Sequence, residues 1–255
     1  ATSAGVAIAI QHAGESFVAT LDRDTGDTLW KADRTYPCGR ESDQAYTTPA
    51  VVDADGRELI VTWGADHVTA HDVGDGERVW ECDGFNPGNE PLWRAIASAP
   101  VGEGVVVVPH GRGDWLAAVR IDEPAVGESR LLWRRRGVGA DVPTPWIDGE
   151  TVYVLGDKSE LTAVALTTGE TLWSAELPRS RAKHFASPVV VGDLLYTARE
   201  DGSFTVFRID EGVEVLSEGE FDETIVATPV LWGDDLLVRS RTRLYRFASG
   251  MEADE

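Results

Sequence analysis

The sequence lacks a long apolar run, since no stretch approaches the roughly 18 apolar residues that a membrane-spanning helix needs. Residues 1–10 also lack the basic start and long apolar stretch of a secretion signal, so we expect any targeting segment to have been removed or never present. The chain has two cysteines, Cys38 and Cys82, and no Cys/His spacing typical of a metal site. We expect free thiols, with a disulfide as the alternative, and no bound metal.

Basic residues are scarce, because 23 Lys and Arg stand against 44 Asp and Glu and leave a formal net charge of -21. General nucleic-acid binding favours a basic surface, so this balance argues against that class of function. An acidic surface that keeps the protein soluble is the plain interpretation. The sequence also has no Gly-x-Ser-x-Gly elbow and no glycine-rich phosphate loop.

Helical periodicity is missing too, but one short pattern recurs along the chain. Its clearest copy, LTAVALTTGETLW at 161–173, predicts a strand, a tight turn at Gly169 and a second strand that ends in Trp173. Further copies lie at 17–30, 68–80, 116–133, 204–216 and 244–250. The copy at 204–216 has Leu216 where we align the tryptophan of the others.

A second marker, a small residue followed by proline and apolar residues, precedes most copies. The prolines are Pro49, Pro100, Pro145, Pro188 and Pro229, at intervals of 41 to 51 residues. This period is typical of four-stranded propeller blades, whose strands we name A to D from the inside outwards. Proline suits the start of strand A, because it has no N–H to pair there.

These markers predict an all-β fold: a β-propeller of four-stranded antiparallel blades, with six blades and about 22 strands. The first blade lacks strand A and the last lacks strand D. We expect one closed propeller domain at 1–250 and a disordered acidic tail at 251–255. A segment preceding this chain could supply both missing strands and so close the ring, since two strand edges are otherwise unpaired.

The spacing of Ala163, Gly169 and Trp173, repeated at Ala19, Gly26 and Trp30, resembles the repeat of pyrroloquinoline-quinone (PQQ)-type propellers. In that family, the tryptophan of one blade packs against the turn of a neighbouring blade. The resemblance therefore implies a structural role, as ties between blades, for Gly26, Trp30, Gly76, Trp80, Trp133, Gly169 and Trp173. Leu216 departs from the pattern, which predicts a weaker tie at that blade.

The family has an enzymatic branch, the quinoprotein dehydrogenases, which bind PQQ and calcium. It also has a non-catalytic branch, which contains the lipoprotein scaffold of the outer-membrane protein assembly machinery. The enzymes carry two adjacent cysteines, whereas Cys38 and Cys82 lie far apart, and we find no pattern for a calcium-quinone site. The resemblance thus implies a non-catalytic scaffold of the periplasm or cell envelope, with no catalytic residue and no cofactor. The alternatives are a quinoprotein oxidoreductase or its degenerate relative, and a ligand-sensing domain of a larger signalling protein.

Strand polarity sorts the loops onto two faces: D–A links and B–C turns on one, and strongly acidic A–B and C–D turns on the other. We interpret the first face as a docking site for a protein partner of acidic character, with scattered solvated charge as the alternative. Histidines are expected at the surface or at strand edges. We expect a monomer, with the unpaired terminal blades as the route to association. The candidate binding residues are Trp93, Arg94, His110, Arg112, Arg134, Arg135, Arg136, Arg179, Arg181, Lys183, His184, Arg239, Arg241 and Arg243.

Overall fold

The computed structural model describes residues 1–126, 128–157, 159–210 and 212–248 of the chain. The acidic tail predicted at 251–255 lies outside the described residues. All described elements are strands, 22 in number, and they form six antiparallel sheets of three or four strands. The predicted all-β class, the strand count and the six blades are confirmed. No helix in the described part of the chain is long and apolar enough to cross a membrane.

Each sheet is one blade. Blade one holds β1 (Val6–Ile10), β2 (Phe17–Leu21) and β3 (Thr28–Asp33). Blade two holds β4 (Ala50–Ala54), β5 (Arg57–Gly64), β6 (His67–Asp72) and β7 (Arg78–Cys82). Blade three holds β8 (Val101–Gly102), β9 (Val105–His110), β10 (Trp115–Arg120) and β11 (Leu131–Arg136). Blade four holds β12 (Trp146–Asp148), β13 (Thr151–Leu155), β14 (Glu160–Ala165) and β15 (Thr171–Glu176). Blade five holds β16 (Val189–Val191), β17 (Leu194–Ala198), β18 (Ser203–Arg208) and β19 (Glu214–Glu220), and blade six holds β20 (Val230–Trp232), β21 (Asp235–Arg239) and β22 (Leu244–Phe247).

The marker prolines lie directly before the innermost strands of blades two to six. Strands β4, β8, β12, β16 and β20 each begin one residue after a marker proline. Beside these prolines, hydroxyl side chains connect successive blades. The Thr48 backbone N–H donates to Ser98 Oγ at 2.9 Å. In the same way, the backbone N–H groups of Ser98, Thr144 and Ser187 donate to Thr144 Oγ1, Ser187 Oγ and Thr228 Oγ1 at 3.0, 2.9 and 3.0 Å. Hydroxyl residues one or two positions before the marker prolines therefore connect the inner strands.

Successive blades share apolar cores, because a sheet that lies between two others is buried on both faces. In β9, Val106 and Val108 pack with blade two, whereas Val105 and Val107 pack with blade four. Such two-sided burial explains why this strand is a continuous apolar run. Five core clusters join blades one to six in order, so each blade is stabilised mainly by its nearest neighbours.

The first and last blades are less covered by neighbouring blades. Among the described residues, no core cluster joins blade six to blade one, so the expected closed ring is not formed by a shared core. On blade six, Val230, Trp232 and Leu244 are 53%, 72% and 66% exposed. In the part of the chain that the structure describes, β1 and β22 each pair with one other strand, so the first blade there lacks strand A and the last lacks strand D, as predicted.

Two of the tryptophans make the packing that the repeat implies. The Trp30 indole N–H donates to the Val73 carbonyl, and the Trp133 indole N–H donates to the Leu166 carbonyl, both at 2.8 Å. Their rings cover the turn glycines of the next blades: a Cβ on Gly76 would lie 2.4 Å from Trp30 Cε3, and one on Gly169 would lie 2.6 Å from Trp133 Cδ2. Both glycines also have positive φ, +78° and +71°. Glycine is needed there for the turn and for the close approach of the indole.

The other turns and tryptophans differ in detail. Trp80 is buried beneath Arg130, whose guanidinium carbon lies 4.6 Å from the ring centroid. Trp173 packs into the core between blades four and five, beside Tyr153. The turn glycine of blade one, Gly26, has the same positive φ, +77°, but its Cβ position meets nothing within 4 Å.

The strand register corrects our alignment of Leu216 with the tryptophans. In blade four, Ala163 pairs with Trp173 and Val164 pairs with Thr171, so Leu172 is the bulged residue. In blade five, Val206 pairs with Ser217 and Phe207 pairs with Val215. Leu216 is therefore the bulged residue, and Ser217 stands at the tryptophan position. The connection between strands C and D is one residue longer in blade five, which shifts the sequence alignment by one.

Candidate partner-binding face

The D–A links and B–C turns share one end of the blades, which we call the upper face. Its longest elements are the links at 34–49 and 83–100, and these two links pack against each other. Ala45 and Ala95 form a parallel bridge, in which the Tyr46 N–H donates to the Ala95 carbonyl at 2.9 Å. The Ser42 hydroxyl donates to the Glu90 carbonyl at 2.6 Å. We call this assembly the link pair; the sequence predicted two loops but not their association.

The link pair exposes large apolar side chains. Tyr46 is 65% exposed and Leu92 is 46% exposed, and Trp93 beside Leu92 is partly buried. We call Tyr46, Leu92 and Trp93 the link tip. Two arginines flank it: Arg94 forms an ion pair with Glu41 at 3.1 Å, and Arg112 Nη1 lies 3.5 Å from the Leu92 carbonyl. The tip thus combines aromatic and aliphatic surface with cationic neighbours.

Arg34 anchors the start of the link pair in the interior between blades one and two. This side chain is 1% exposed. Its guanidinium donates to Thr69 Oγ1 at 2.9 Å, to the Gly64 carbonyl at 3.0 Å, to the His67 carbonyl at 2.6 Å and to Gln11 Oε1. Burial lowers the pKa of Arg34 to about 10. No sequence pattern distinguished this arginine from the exposed ones.

A row of aromatic rings supports the same face from below. Trp63 meets Phe85 edge-on with ring centroids 5.3 Å apart, and Phe85 meets His110 edge-on at 5.4 Å. His110 in turn stacks with Trp115 at 6.0 Å. His110 is 6% exposed, so this candidate binding residue is part of the interior.

The prediction that histidines lie at the surface or at strand edges is wrong for two more residues. His71 and His184 are 1% and 2% exposed. His71 Nδ1 lies 3.1 Å from the Gly76 carbonyl, and His184 Nδ1 lies 3.1 Å from the Ala198 carbonyl. Their apolar surroundings disfavour the charged form, so burial lowers the pKa of both imidazoles. His184, like His110, is therefore not available to a partner on the surface.

The three consecutive arginines Arg134, Arg135 and Arg136 lie within strand β11 and do not form one patch. Arg134 and Arg136 lie over the Trp115 ring, with guanidinium carbons 5.6 Å and 5.7 Å from its centroid. Arg135 points to the other side of the sheet, where Nη1 donates to Thr171 Oγ1 at 3.1 Å. Alternation along a strand separates neighbouring side chains in this way.

The remaining basic candidates lie on blades four to six. Arg179, Arg181 and Lys183 are exposed on the link after β15, Arg239 ends β21, and Arg241 and Arg243 lie in the turn that follows. Several candidates already have acidic partners within 4 Å: Arg94, Arg112, Arg136, Arg179 and Arg243 pair with Glu41, Asp141, Asp114, Glu176 and Glu223. The upper face is therefore a mosaic of paired charges rather than a uniform basic surface.

His110→Phe should make the free energy of unfolding less sensitive to acid. Burial lowers the pKa of His110 from 6.5 to about 4. As the pH falls from about 6.5 towards 4, the unfolded chain binds a proton that the folded chain excludes, and stability is lost by up to about 1.4 kcal/mol per pH unit. Phenylalanine keeps an aromatic ring between Phe85 and Trp115 and removes this titration. Urea unfolding between pH 7.5 and 4 should therefore give a flatter profile for the variant; parallel profiles would contradict it.

The residues present do not fit a calcium-quinone site. Within the described ranges, no three Asp, Glu, His or Cys side chains come together as a metal would require. The cysteines are separate free thiols, as expected. Burial raises the pKa of the Cys38 thiol to about 12 and that of the Cys82 thiol to about 11, which keeps both protonated and poorly reactive at neutral pH.

Comparisons with known proteins identify a matching family. The profile of the family described as outer membrane protein assembly factor BamB matches residues 3–175. The outer membrane protein assembly factor BamB of Alkalilimnicola ehrlichii is 29% identical over 201 residues, covering 76% of this chain and 48% of the relative. The chain thus spans about half the length of that relative.

Two solved structures share the fold. The crystal structure of BamB from Moraxella catarrhalis superposes with a TM-score of 0.67 at 17% identity, covering 93% of this chain and 70% of that one. The quinohemoprotein alcohol dehydrogenase from Comamonas testosteroni superposes with a TM-score of 0.61 at 15% identity, covering 84% of this chain and 41% of that one. At these identities the likeness shows the fold alone, because one fold hosts many functions.

Proposed function

Because the chain belongs to the family of outer membrane protein assembly factor BamB, we propose that it is a non-catalytic protein-binding scaffold of the bacterial cell envelope. The family name and the relative from Alkalilimnicola ehrlichii support this assignment. We place the protein in the periplasm, at the outer membrane, and treat its blades as one propeller domain. The scaffold uses no cofactor in this proposal, since the donor groups present do not suit the calcium-quinone pair.

The observation that carries the proposal is the link tip. Large apolar side chains at the end of ordinary loops are mobile, but Tyr46 adjoins the Ala45–Ala95 bridge, and the first link starts from buried Arg34. A rigid support lowers the entropy that a binding surface loses when it meets its partner. Aromatic residues and arginine are also enriched at the centres of protein interfaces. The tip therefore has both the composition and the support of a docking site.

The chemistry of the tip supports one kind of partner. Tyr46 and Leu92 suit an apolar groove, while Arg94 and Arg112 beside them suit acidic residues at its rim. Both arginines are already paired within this chain, with Glu41 and Asp141. Most of the affinity should then come from apolar contact, and the charges mainly orient the partner.

Replacing Tyr46 and Leu92 together by Ser should reduce partner capture at least tenfold. The matched control replaces Leu29 and Leu172, which are 49% and 54% exposed on the outer strands, also by Ser. Each purified protein would be cross-linked in a solubilised envelope extract of Alkalilimnicola ehrlichii, and the captured proteins quantified by mass spectrometry. We expect the unmodified chain and the control to capture the same outer-membrane assembly proteins. Equal capture by both double variants, or no such capture by the unmodified chain, would contradict the proposal.

A further inference from the structure

One position just after the outer strand recurs at three blade interfaces. The residue there lies four positions after the tryptophan of strand D, and its backbone N–H donates to the carbonyl of the residue directly before strand C. The pairs are Arg34 with Ser16 at 2.9 Å, Gly137 with Asp114 at 2.7 Å, and Leu177 with Ser159 at 2.8 Å. Because the same hydrogen bond recurs, Arg34, Gly137 and Leu177 are structurally equivalent. We call this the wedge position.

Two of the wedge residues fill the space between their blades. Arg34 is buried between blades one and two, and Leu177, which is 4% exposed, packs into the core between blades four and five. Gly137 has no side chain, and a Cβ built on it would meet nothing within 4 Å. A cavity of about 330 Å³ lies beside Gly137, lined by residues of blades three and four. It occupies the space that a wedge side chain fills at the other two interfaces.

The wall of this cavity on blade four repeats the groups that hold Arg34. In blade two, the Arg34 guanidinium donates to two carbonyls and a threonine hydroxyl. The strand register gives the equivalent residues of blade four, because Ala70 and Ala163 both pair with the tryptophan of strand D. The equivalent residues are Gly64 and Gly156, His67 and Glu160, and Thr69 and Thr162. All three of the blade four residues line the cavity.

The cavity adds negative charge to these acceptors. Asp157 lines it, and the buried Asp157 Oδ1 has no hydrogen-bond partner among the described residues. Burial and the neighbouring Asp141 carboxylate raise the pKa of Asp157, so an entering cation would stabilise the ionised form. Glu160 contributes a second carboxylate to the lining, whereas the lining Arg112 is already paired with Asp141 at 3.4 Å. The cavity therefore favours a cation that can donate several hydrogen bonds.

We propose that the cavity between blades three and four binds the guanidinium group of a ligand, as blade two binds that of Arg34. A guanidinium directs five N–H donors from one plane, which suits a ring of carbonyl, hydroxyl and carboxylate acceptors better than a compact ammonium does. The group belongs to a small molecule or to an arginine side chain of another protein. The site goes beyond the scaffold function, because it does not need Tyr46 or Leu92 of the link tip.

An NMR titration of the isotopically labelled full chain tests the site. The probe is N-acetyl-arginine amide, and the matched control is N-acetyl-lysine amide, which carries an ammonium instead. We expect the arginine compound to shift the amide signals of Gly137 and Gly156 and to bind at least tenfold more tightly than the lysine compound. Equal binding would reflect only the net charge of -21 and would overturn the proposal, as would unmoved signals at both glycines.

Free arginine distinguishes the two sources of the group. Tighter binding of free arginine than of the capped compound would support a small molecule as the ligand. Tighter binding of the capped compound would support an arginine side chain of a protein. The Tyr46→Ser and Leu92→Ser double variant should bind the capped compound like the unmodified chain, so the outcome is independent of the scaffold function.

Two matched substitutions test the wall of the cavity. Asp157→Asn should weaken binding of the capped arginine at least tenfold. Asp148→Asn makes the same change at an exposed position on the opposite face of blade four and should leave binding unchanged. Should Asp157→Asn fail to fold, Glu160→Gln should weaken binding at least threefold. A folded Asp157→Asn or Glu160→Gln variant that binds as tightly as the unmodified chain would overturn the proposal.

Lys158 directly follows Asp157 in the sequence and lies outside the described residues. Lys158→Ala should leave binding of the capped arginine unchanged or strengthen it. Binding that appears only in this variant would assign the carboxylates to the lysine of the chain itself and would also overturn the proposal.

Discussion

Gly76→Ala should destabilise the protein by about 3–5 kcal/mol, whereas Gly26→Ala should cost only about 1–2 kcal/mol. The two glycines have nearly the same positive φ, +78° and +77°. An alanine at either position therefore bears the same strain of the left-handed conformation, about 1–2 kcal/mol. Only Gly76 lies under an indole, and the added Cβ would lie 2.4 Å from Trp30 Cε3. The ring must move and give up its hydrogen bond to the Val73 carbonyl, which adds about 2–3 kcal/mol.

Urea unfolding followed by circular dichroism would measure both variants, and the difference between them isolates the indole contact from the backbone strain. Gly169→Ala repeats the experiment at another blade, where φ is +71° and Trp133 Cδ2 would lie 2.6 Å from the new Cβ. It should resemble Gly76→Ala. If all three variants lose the same stability, the tryptophans do not tie the blades together through their turns.

Arg34→Met should destabilise the protein by about 3–5 kcal/mol, the range seen when one partner of a buried charged network is removed. The guanidinium satisfies the Gly64 and His67 carbonyls and the Thr69 hydroxyl. Methionine fills part of the volume but donates no hydrogen bond, so these acceptors are left buried without that partner. Each unsatisfied buried group costs about 1–3 kcal/mol. The loss should also loosen the link pair, because Arg34 is its first residue.

Arg78→Met is the matched control. The Arg78 side chain is 50% exposed and pairs at 2.7 Å with Glu81, which lies on the same strand, β7. Exposed ion pairs contribute about 0–1 kcal/mol, so the control should unfold nearly as the unmodified chain does. Hydrogen exchange gives a second measurement: the Tyr46 amide, which donates to Ala95, should lose protection in Arg34→Met and keep it in Arg78→Met. Unchanged stability and protection in Arg34→Met would show that the buried guanidinium does not hold the link pair.

The blades were predictable because their signals are local. A proline one residue before strand A, alternating apolar residues in strand C and a turn glycine before strand D all act over a few neighbouring positions. The same signals predicted the missing strand A of blade one and the missing strand D of blade six. These features depend on the chain geometry of one hairpin, so one sequence is enough to find them.

The candidate site was less predictable because it depends on contacts between distant parts of the chain. One extra residue between Phe207 and Val215 moved Ser217, rather than Leu216, to the tryptophan position, and only the strand register shows this. The burial of His110 and His184 follows from neighbouring blades. The bridge between Ala45 and Ala95 joins residues 50 positions apart. Hydropathy and spacing carry no signal for such associations.

Strand β19 has a consequence for the behaviour of the protein at high concentration. All seven of its residues, EVLSEGE, are exposed, and three of them are glutamates. An exposed outer strand is a template for aggregation, and like charges on two such strands keep them apart. At the sequence pI of about 4.5 the chain carries no net charge, and the repulsion between molecules is lost. Colloidal stability therefore depends on the net negative charge of the chain, and purification and storage of this protein belong well above that pH.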